Sequence, residues 1–172
     1  MSAFLNETHH AIRAKVRDFA EKYVKPVIGD FEANEQFPME LIRSLKSLNL
    51  FGMHAPKKYG GQDSDYMSYI IAVEELARVD SSVAATLAAH NSLGVGPILE
   101  FGTEEQKARY LPPLCTAENL WAFGLTEENA GSDAQGVETV AEEKDGGWLV
   151  NGHKKYITNG ASEMSVGIGF VA

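Results

Sequence analysis

"AFGLTEENAGSD", residues 122–133, is where this chain changes character. Upstream of it, apolar residues recur at helical spacing. Downstream, β-branched residues alternate with polar ones and glycine-containing turns follow one another. The stretch itself reads as the end of a strand followed by a loop of small residues. Thr126 and Ser132 supply hydroxyls, and Gly131 lets main-chain N–H groups approach a ligand closely. Glu127 and Glu128 catch the eye as a carboxylate pair. Neighbours in an extended segment point to opposite faces, so the two are not placed to act on one substrate atom.

Working back from this seam, the first 118 residues predict a bundle of about five helices. Ile12, Val16, Phe19 and Tyr23 form one stripe, with Asn6 as N-cap and Pro26 ending the pattern. Pro38 opens a second helix carrying Leu41, Ile42, Leu45 and Leu48 and ending near Gly52. "APKKYGGQDSD" is a turn-rich loop. A third helix places Ile70, Val73, Leu76 and Ala77 on one side. Another starts after Asp80, is slimmed by Ala84, Ala85, Ala88 and Ala89, and ends at Gly94. In "GTEEQKARYLPPL", Thr103 and Gln106 form a capping box, Glu104 and Glu105 suit the helix dipole, and Pro112 stops the helix.

Working forward, "VETVAEE", "WLVNGHKKYITNG" and "SVGIGFVA" read as strands. Asp145-Gly146-Gly147, Asn151-Gly152 and Asn159-Gly160 are hairpin signals. In "KYITNG" the two-residue period puts Tyr156 and Thr158 on one face of a strand. An aromatic face with hydroxyl and N–H donors suits a flat heteroaromatic ring with polar edges; a pair of ordinary hairpins is the plain alternative. The β pattern is still running at Ala172, with Val166, Ile168 and Phe170 on one face. The expectation is therefore a fragment, or a chain that completes its sheet with a partner.

Composition narrows the function classes. The formal net charge of −9 over 172 residues argues against nucleic-acid binding, which needs a basic face. Cys115 is the only cysteine, so neither a disulfide framework nor a cysteine-based metal site can form within one chain. His9, His10, His54, His90 and His153 show no metal-ligand spacing. Gly94 and Gly96 are followed by Leu99 where a dinucleotide fingerprint needs glycine, and no strand precedes them. There is no P-loop, and Ser132 lacks the context of a hydrolase nucleophile. The first 24 residues hold no long apolar run, so neither a secretory signal nor a membrane span is expected.

The order of helices, then "GLTEENAGSD", then "VNGHKKYITNG" resembles the acyl-CoA dehydrogenase family. The family signature appears as Leu125, Thr126, Glu127, Ala130, Gly131, Ser132 and Asp133, and its second motif as Tyr156 to Gly160. "YGG" at Tyr59, "EELAR" at Glu74 and "FGTEEQKARYLPPL" at Phe101 are similar too. The resemblance implies an α+β protein of segregated regions. Residues 1–118 would be an N-terminal helical domain, and residues 119–172 the first part of an antiparallel, barrel-like middle domain. A C-terminal helical domain would be absent from this sequence. It implies FAD, contacted by Phe123, Leu125, Thr126, Gly131, Ser132, Tyr156, Ile157 and Thr158, with Ser132 also touching the acyl-CoA. Thr126 would bond the pyrimidine edge of the flavin, Thr158 would lie near its N5–O4 edge, and Tyr156 would flank the ring. Two departures stand out: Glu128-Asn129 where many members have Pro-Gly, and Tyr156 where many have Trp.

The implied reaction is α,β-dehydrogenation of an acyl-CoA to the trans-2-enoyl-CoA, as in fatty-acid β-oxidation. A glutamate takes the α-proton, a hydride goes to the flavin, and electrons pass to an electron-transferring flavoprotein. The family's glutamate lies in the C-terminal domain, so no catalytic base is assigned here and Glu127 is read as structural. The resemblance also implies a homo-oligomer, commonly a tetramer, in the bacterial cytoplasm or the mitochondrial matrix. Two other readings keep the same residues: a flavin-dependent oxidase or monooxygenase of this fold, and a non-catalytic partner module.

Overall fold

The computed structural model describes residues 4–172; residues 1–3 of the expected helical domain lie outside the described residues. Helix α1 (Glu7–Phe19) begins at Asn6, whose side chain accepts from the His9 N–H at 3.0 Å. His9 closes the box by accepting the Asn6 N–H on Nδ1, at 3.2 Å. That leaves Nε2 to donate to the Asp65 carboxylate at 3.0 Å. Asp65 in turn caps α4 (Tyr66–Ala77) through the Ser68 N–H at 2.7 Å. One imidazole thus joins the starts of two helices that sit far apart in sequence. α1 runs on through a π-helical turn (Ala20–Val24) before Pro26 interrupts it. Two short helices follow, α2 (Ile28–Ala33) and α3 (Met39–Ser44), the latter extended by a 3₁₀ turn (Leu45–Leu48).

The pairing of α1 with α4 turns on a buried charge. Glu75 is 1% exposed and accepts a two-pronged bond from Arg17, each contact at 2.8 Å. Arg13 and Arg78 add contacts at 3.2 and 3.4 Å. The Arg17 bonds hold the Glu75 carboxyl below its ordinary range. Of the apolar side read from sequence, Leu76 is buried and Val73 packs on the core, while Ile70 and Ala77 do not. Turning Glu75 inward buries Tyr69, Ala72 and Leu76 and swings Ile70 out to 55% exposure, with Ala77 exposed beside it. A charged residue on the buried side is what an apolar-periodicity argument misses.

Helix α5 (Ser81–Ala89) is capped by Asp80, whose carboxylate accepts the Val83 N–H at 2.7 Å. It does not end at Gly94. A π-helical turn (His90–Val95) carries it into α6 (Gly96–Phe101), making one continuous rod. The wide turn is held by Asn91. Its amide donates to Leu50 O (2.9 Å) and Leu87 O (3.2 Å) and accepts the Met53 N–H (3.1 Å). Helix α7 (Glu104–Cys115) starts at the expected Thr103–Gln106 box but runs through Pro112 and Pro113. An interior proline costs about 3 kcal/mol. Burial of Leu111, Leu114 and Cys115 offsets that at about 1.5–3 kcal/mol for each large apolar side chain.

Strand β1 (Leu120–Gly124) pairs in parallel with β4 (Ser165–Phe170), and β2 (Val140–Lys144) pairs antiparallel with β3 (Gly147–Asn151). Asp145 and Gly146 both take positive φ, 52° and 77°, as a tight hairpin turn requires. The segregated α+β organisation matches expectation; the barrel does not appear. Among the described residues the strands form two separate two-stranded sheets, one of them parallel. Asn151-Gly152 and Asn159-Gly160 do not form hairpins, and residues 152–164 contain no strand. β4 is glycine-rich for a packing reason. A Cβ at Gly167 would overlap the Trp121 indole, and one at Gly169 would touch the Phe123 ring at 3.5 Å.

His90 ties the strands to the helices. It is fully buried; its Nδ1 accepts the Trp121 N–H (3.4 Å) and its Nε2 donates to Leu114 O (3.0 Å). Burial pushes its pKa down to about 4. The unfolded chain takes up a proton near pH 6.5 while the folded one resists until about pH 4, so stability falls as pH drops across that window. Two outcomes are expected in urea unfolding. The wild type loses about 3 kcal/mol between pH 6.5 and 4 through this group, and His90→Gln removes that slope. Glu75→Ala lowers stability at neutral pH by about 2 kcal/mol, since the half-exposed arginines can rehydrate.

Candidate functional site

The loop after β1 is closed on itself by the Glu127 N–H donating to Ala130 O at 3.0 Å. The Glu127 side chain then turns inward and Glu128 outward, as their adjacency demands. Glu127 accepts from the Glu138 N–H (2.6 Å), the Thr139 N–H (3.1 Å), the Thr139 hydroxyl and the Lys154 ammonium (2.6 Å). Lys154 also reaches Leu125 O at 3.3 Å. Gly152 leaves the room this knot needs: a Cβ there would overlap the Thr139 side chain. With Lys154 the largest cause, then Thr139 and the Glu138 N–H, the Glu127 carboxyl is held down at about 2. Such a carboxylate is a strut and a poor proton acceptor near neutral pH.

The knot brings the loop against the segment that follows β3. The Lys155 N–H donates to Thr126 O at 2.8 Å, which sets Thr126 beside Tyr156. Tyr156 takes φ 56° and is 87% exposed. This corrects the expected strand: a left-handed residue at Tyr156, and another at Asn159 (φ 67°), break the two-residue alternation. Tyr156 and Thr158 are therefore not placed on a common strand face. Asn159 anchors the segment to the helices through its amide, which donates to Thr86 O of α5 at 3.1 Å.

The eight residues singled out from sequence divide as follows. Phe123 projects from β1 over Gly169, and Leu125 and Thr126 continue from that strand's end. Tyr156 and Thr158 are exposed on the neighbouring segment, while Ile157 borders a cavity of about 240 Å³ with Phe37, Asn159 and Ser162. Gly131 and Ser132 are exposed at the far end of the loop, ahead of a 3₁₀ turn (Ala134–Gly136). No hydrogen bond joins Ser132 to residues 154–158 among the described residues. The main-chain N–H groups of Thr126, Gly131 and Ser132 find no protein acceptor there either. Nor do the hydroxyls of Thr126, Ser132 and Thr158 find a protein partner. A Cβ at Gly131 would meet nothing within 4 Å, so internal packing does not demand glycine at that point. Unclaimed donors, one exposed aromatic residue and a bare backbone stretch, on two segments joined by the Lys155–Thr126 bond, are groups that a flat polar-edged ligand can use. Sequence reasoning missed Lys154, Lys155 and Thr139; the adjacent lysines facing adjacent glutamates were the available signal.

The strut can be checked by carbon-13 NMR titration of Glu127. Lys154→Met is expected to raise its pKa from about 2 toward 4.5. Because the folded value is depressed, the stability it confers is present above pH 4.5 and is lost as pH falls through about 2. In the variant the window between the unfolded and folded values narrows, so less stability is lost across it and the loss ends at higher pH.

Comparison with known proteins matches residues 6–118 to "Acyl-CoA dehydrogenase, N-terminal domain" and residues 122–169 to "Acyl-CoA dehydrogenase, middle domain". An acyl-CoA dehydrogenase of Bacillus subtilis is 43% identical over 151 residues, covering 88% of this chain and 40% of that protein. A short-chain specific acyl-CoA dehydrogenase of Megasphaera elsdenii is 46% identical over 149 residues, covering 84% of this chain and 39% of that one. The solved butyryl-CoA dehydrogenase of Megasphaera elsdenii superposes with a TM-score of 0.86 at 44% identity, over 93% of this chain and 43% of that chain. The acyl-CoA dehydrogenase of Bacillus anthracis, solved in complex with FAD, gives 0.90 at 35% identity, over 99% of this chain and 29% of that chain. This chain spans about two fifths of the length of the curated relatives it matches. No helix among the described residues is long and apolar enough to cross a membrane. With both family domains matched in order over most of its length, the chain belongs to the acyl-CoA dehydrogenase family.

Proposed function

We propose that these residues form the flavin-facing part of an FAD-dependent acyl-CoA dehydrogenase, which converts an acyl-CoA to its trans-2-enoyl-CoA. The observation that carries the reading is the set of unclaimed groups at Thr126, Gly131, Ser132, Tyr156 and Thr158, on two segments joined by the Lys155–Thr126 bond. Its donors are unclaimed by the protein, and it coincides with the family's signature residues. The donor set fits FAD: Thr126 and Thr158 offer hydroxyls to polar ring edges, Tyr156 a flanking ring, and Gly131 and Ser132 a bare N–H stretch for a charged group. When bound, FAD supplies a hydride acceptor. The chain's own part is to bind and orient, since Glu127 is already spent as a strut. The catalytic base is assigned to a C-terminal helical domain outside these 172 residues. In the same reading, residues 1–118 and 119–172 are the helical domain and the first part of the middle domain.

Electrons are proposed to leave to an electron-transferring flavoprotein. A relative from Acetobacterium woodii that is 41% identical is named as a subunit of a reductase–Etf complex, which supports that partner. Two relatives named short-chain specific, from Clostridium acetobutylicum and Megasphaera elsdenii, support a short acyl chain. A homo-oligomer acting in fatty-acid oxidation in the bacterial cytoplasm completes the proposal.

The test is flavin retention. The purified protein is expected to be yellow and to quench FAD fluorescence on binding. Thr126→Ala should weaken FAD about fivefold, the loss of one ordinary hydrogen bond, without changing the unfolding midpoint. A colourless protein that fails to take up added FAD would sink the reading.

A further inference from the structure

We propose that Lys155 is a positioning residue of this face: Glu128 holds its ammonium so that it fixes the exposed Tyr156 ring against the signature loop. The inference rests on the flavoprotein reading above and goes beyond it, since neither Lys155 nor Glu128 belongs to the residues that the resemblance implies touch FAD.

Three contacts converge on Lys155. Its N–H donates to Thr126 O at 2.8 Å. Its ammonium pairs with the Glu128 carboxylate, whose pKa that pairing lowers. The same Nζ lies 5.6 Å from the centroid of the Tyr156 ring, within cation–π range. No other aromatic or cationic group among the described residues meets that ring. Tyr156 also sits in the left-handed region, which a bulky residue occupies only where its surroundings hold it there.

Adjacent lysines thus grip adjacent glutamates on opposite sides of one loop. The inner rung, Lys154 to Glu127, is buried, with side chains 12% and 7% exposed. The outer rung, Lys155 to Glu128, is 31% and 74% exposed. A buried rung survives salt; an exposed one is screened. The inner rung therefore fixes the loop's shape, and the outer rung sets how firmly Tyr156 is presented to the cofactor.

The experiment compares the wild-type protein, Glu128→Gln and the charge swap Glu128→Lys/Lys155→Glu. Two quantities are read: the Kd for FAD by fluorescence quenching, and hydrogen exchange of the residue-155 amide in flavin-free protein. Removing a negative charge by itself favours a phosphate-bearing ligand. Weaker FAD binding in Glu128→Gln therefore has the sign that only a lost latch produces. The expected result for Glu128→Gln is a Kd raised roughly two- to fivefold and amide exchange faster by a similar factor; the swap, which restores the ion pair and leaves no cation beside Tyr156, is expected to recover the amide protection and not the Kd. High salt should speed the exchange in wild type and leave Glu128→Gln unchanged. An unchanged or lower Kd together with unchanged exchange overturns the proposal. If wild type takes up no FAD at all, the flavoprotein reading fails on its own. The amide then decides the latch: faster exchange in Glu128→Gln supports it, and equal exchange overturns it.

Discussion

One neutral imidazole ties the first strand of this chain to its helices. His90 sits at the start of a π-helical turn with both ring nitrogens engaged, one with β1 and one with the end of α7. Those two bonds demand the tautomer that carries its proton on Nε2. The demand works only while the ring is uncharged, which is why burial and a depressed pKa accompany it. The neighbouring Asn91 performs a similar service toward Leu50 and Met53, so the widened turn is where loop, helix and strand converge. A regular helix would project these two side chains at different angles.

From that seam the site is assembled by ionic contacts of unequal burial. β1 delivers Phe123, Leu125 and Thr126 to the edge of the helical region, and Glu127 then gathers three separate stretches around one carboxylate. Nothing in this arrangement asks Glu127 to exchange a proton. Its four donors stabilise the anion, and the groups that remain unclaimed face outward. The division is economical: charge is used inside the loop to hold shape, and hydroxyls, N–H groups and one ring are left free outside.

Much of this was legible in sequence where a local rule governs. The caps at Asn6, Asp80 and Thr103 and the Asp145–Gly146 turn follow from single residues and their immediate neighbours. What was not legible depended on distant partners. Pro112 reads as a stop until the burial of Leu111 and Leu114 is known. Gly94 reads as an end until Asn91 finds Leu50. The face of α4 is misread because Glu75 goes inward to meet Arg17. In the site, the signature loop was recognisable residue by residue. The strand drawn through Tyr156 was not real, because a bond from Lys155 to Thr126 and a left-handed turn override alternation.

The parallel pairing of β1 with β4 carries a consequence for how the molecule reaches this state. Leu120 finds Ser165 only after the whole intervening segment has been looped out, and that segment holds the signature loop, the β2–β3 hairpin and Tyr156. The helical caps and the hairpin are short-range and form quickly, whereas closing so large a loop is entropically slow. Trp121 packs on Tyr110 of α7, and Gly167 and Gly169 leave room on β4 for the Trp121 and Phe123 rings. Pairing of β4 with β1 thus closes a loop that contains every residue of the Glu127 knot.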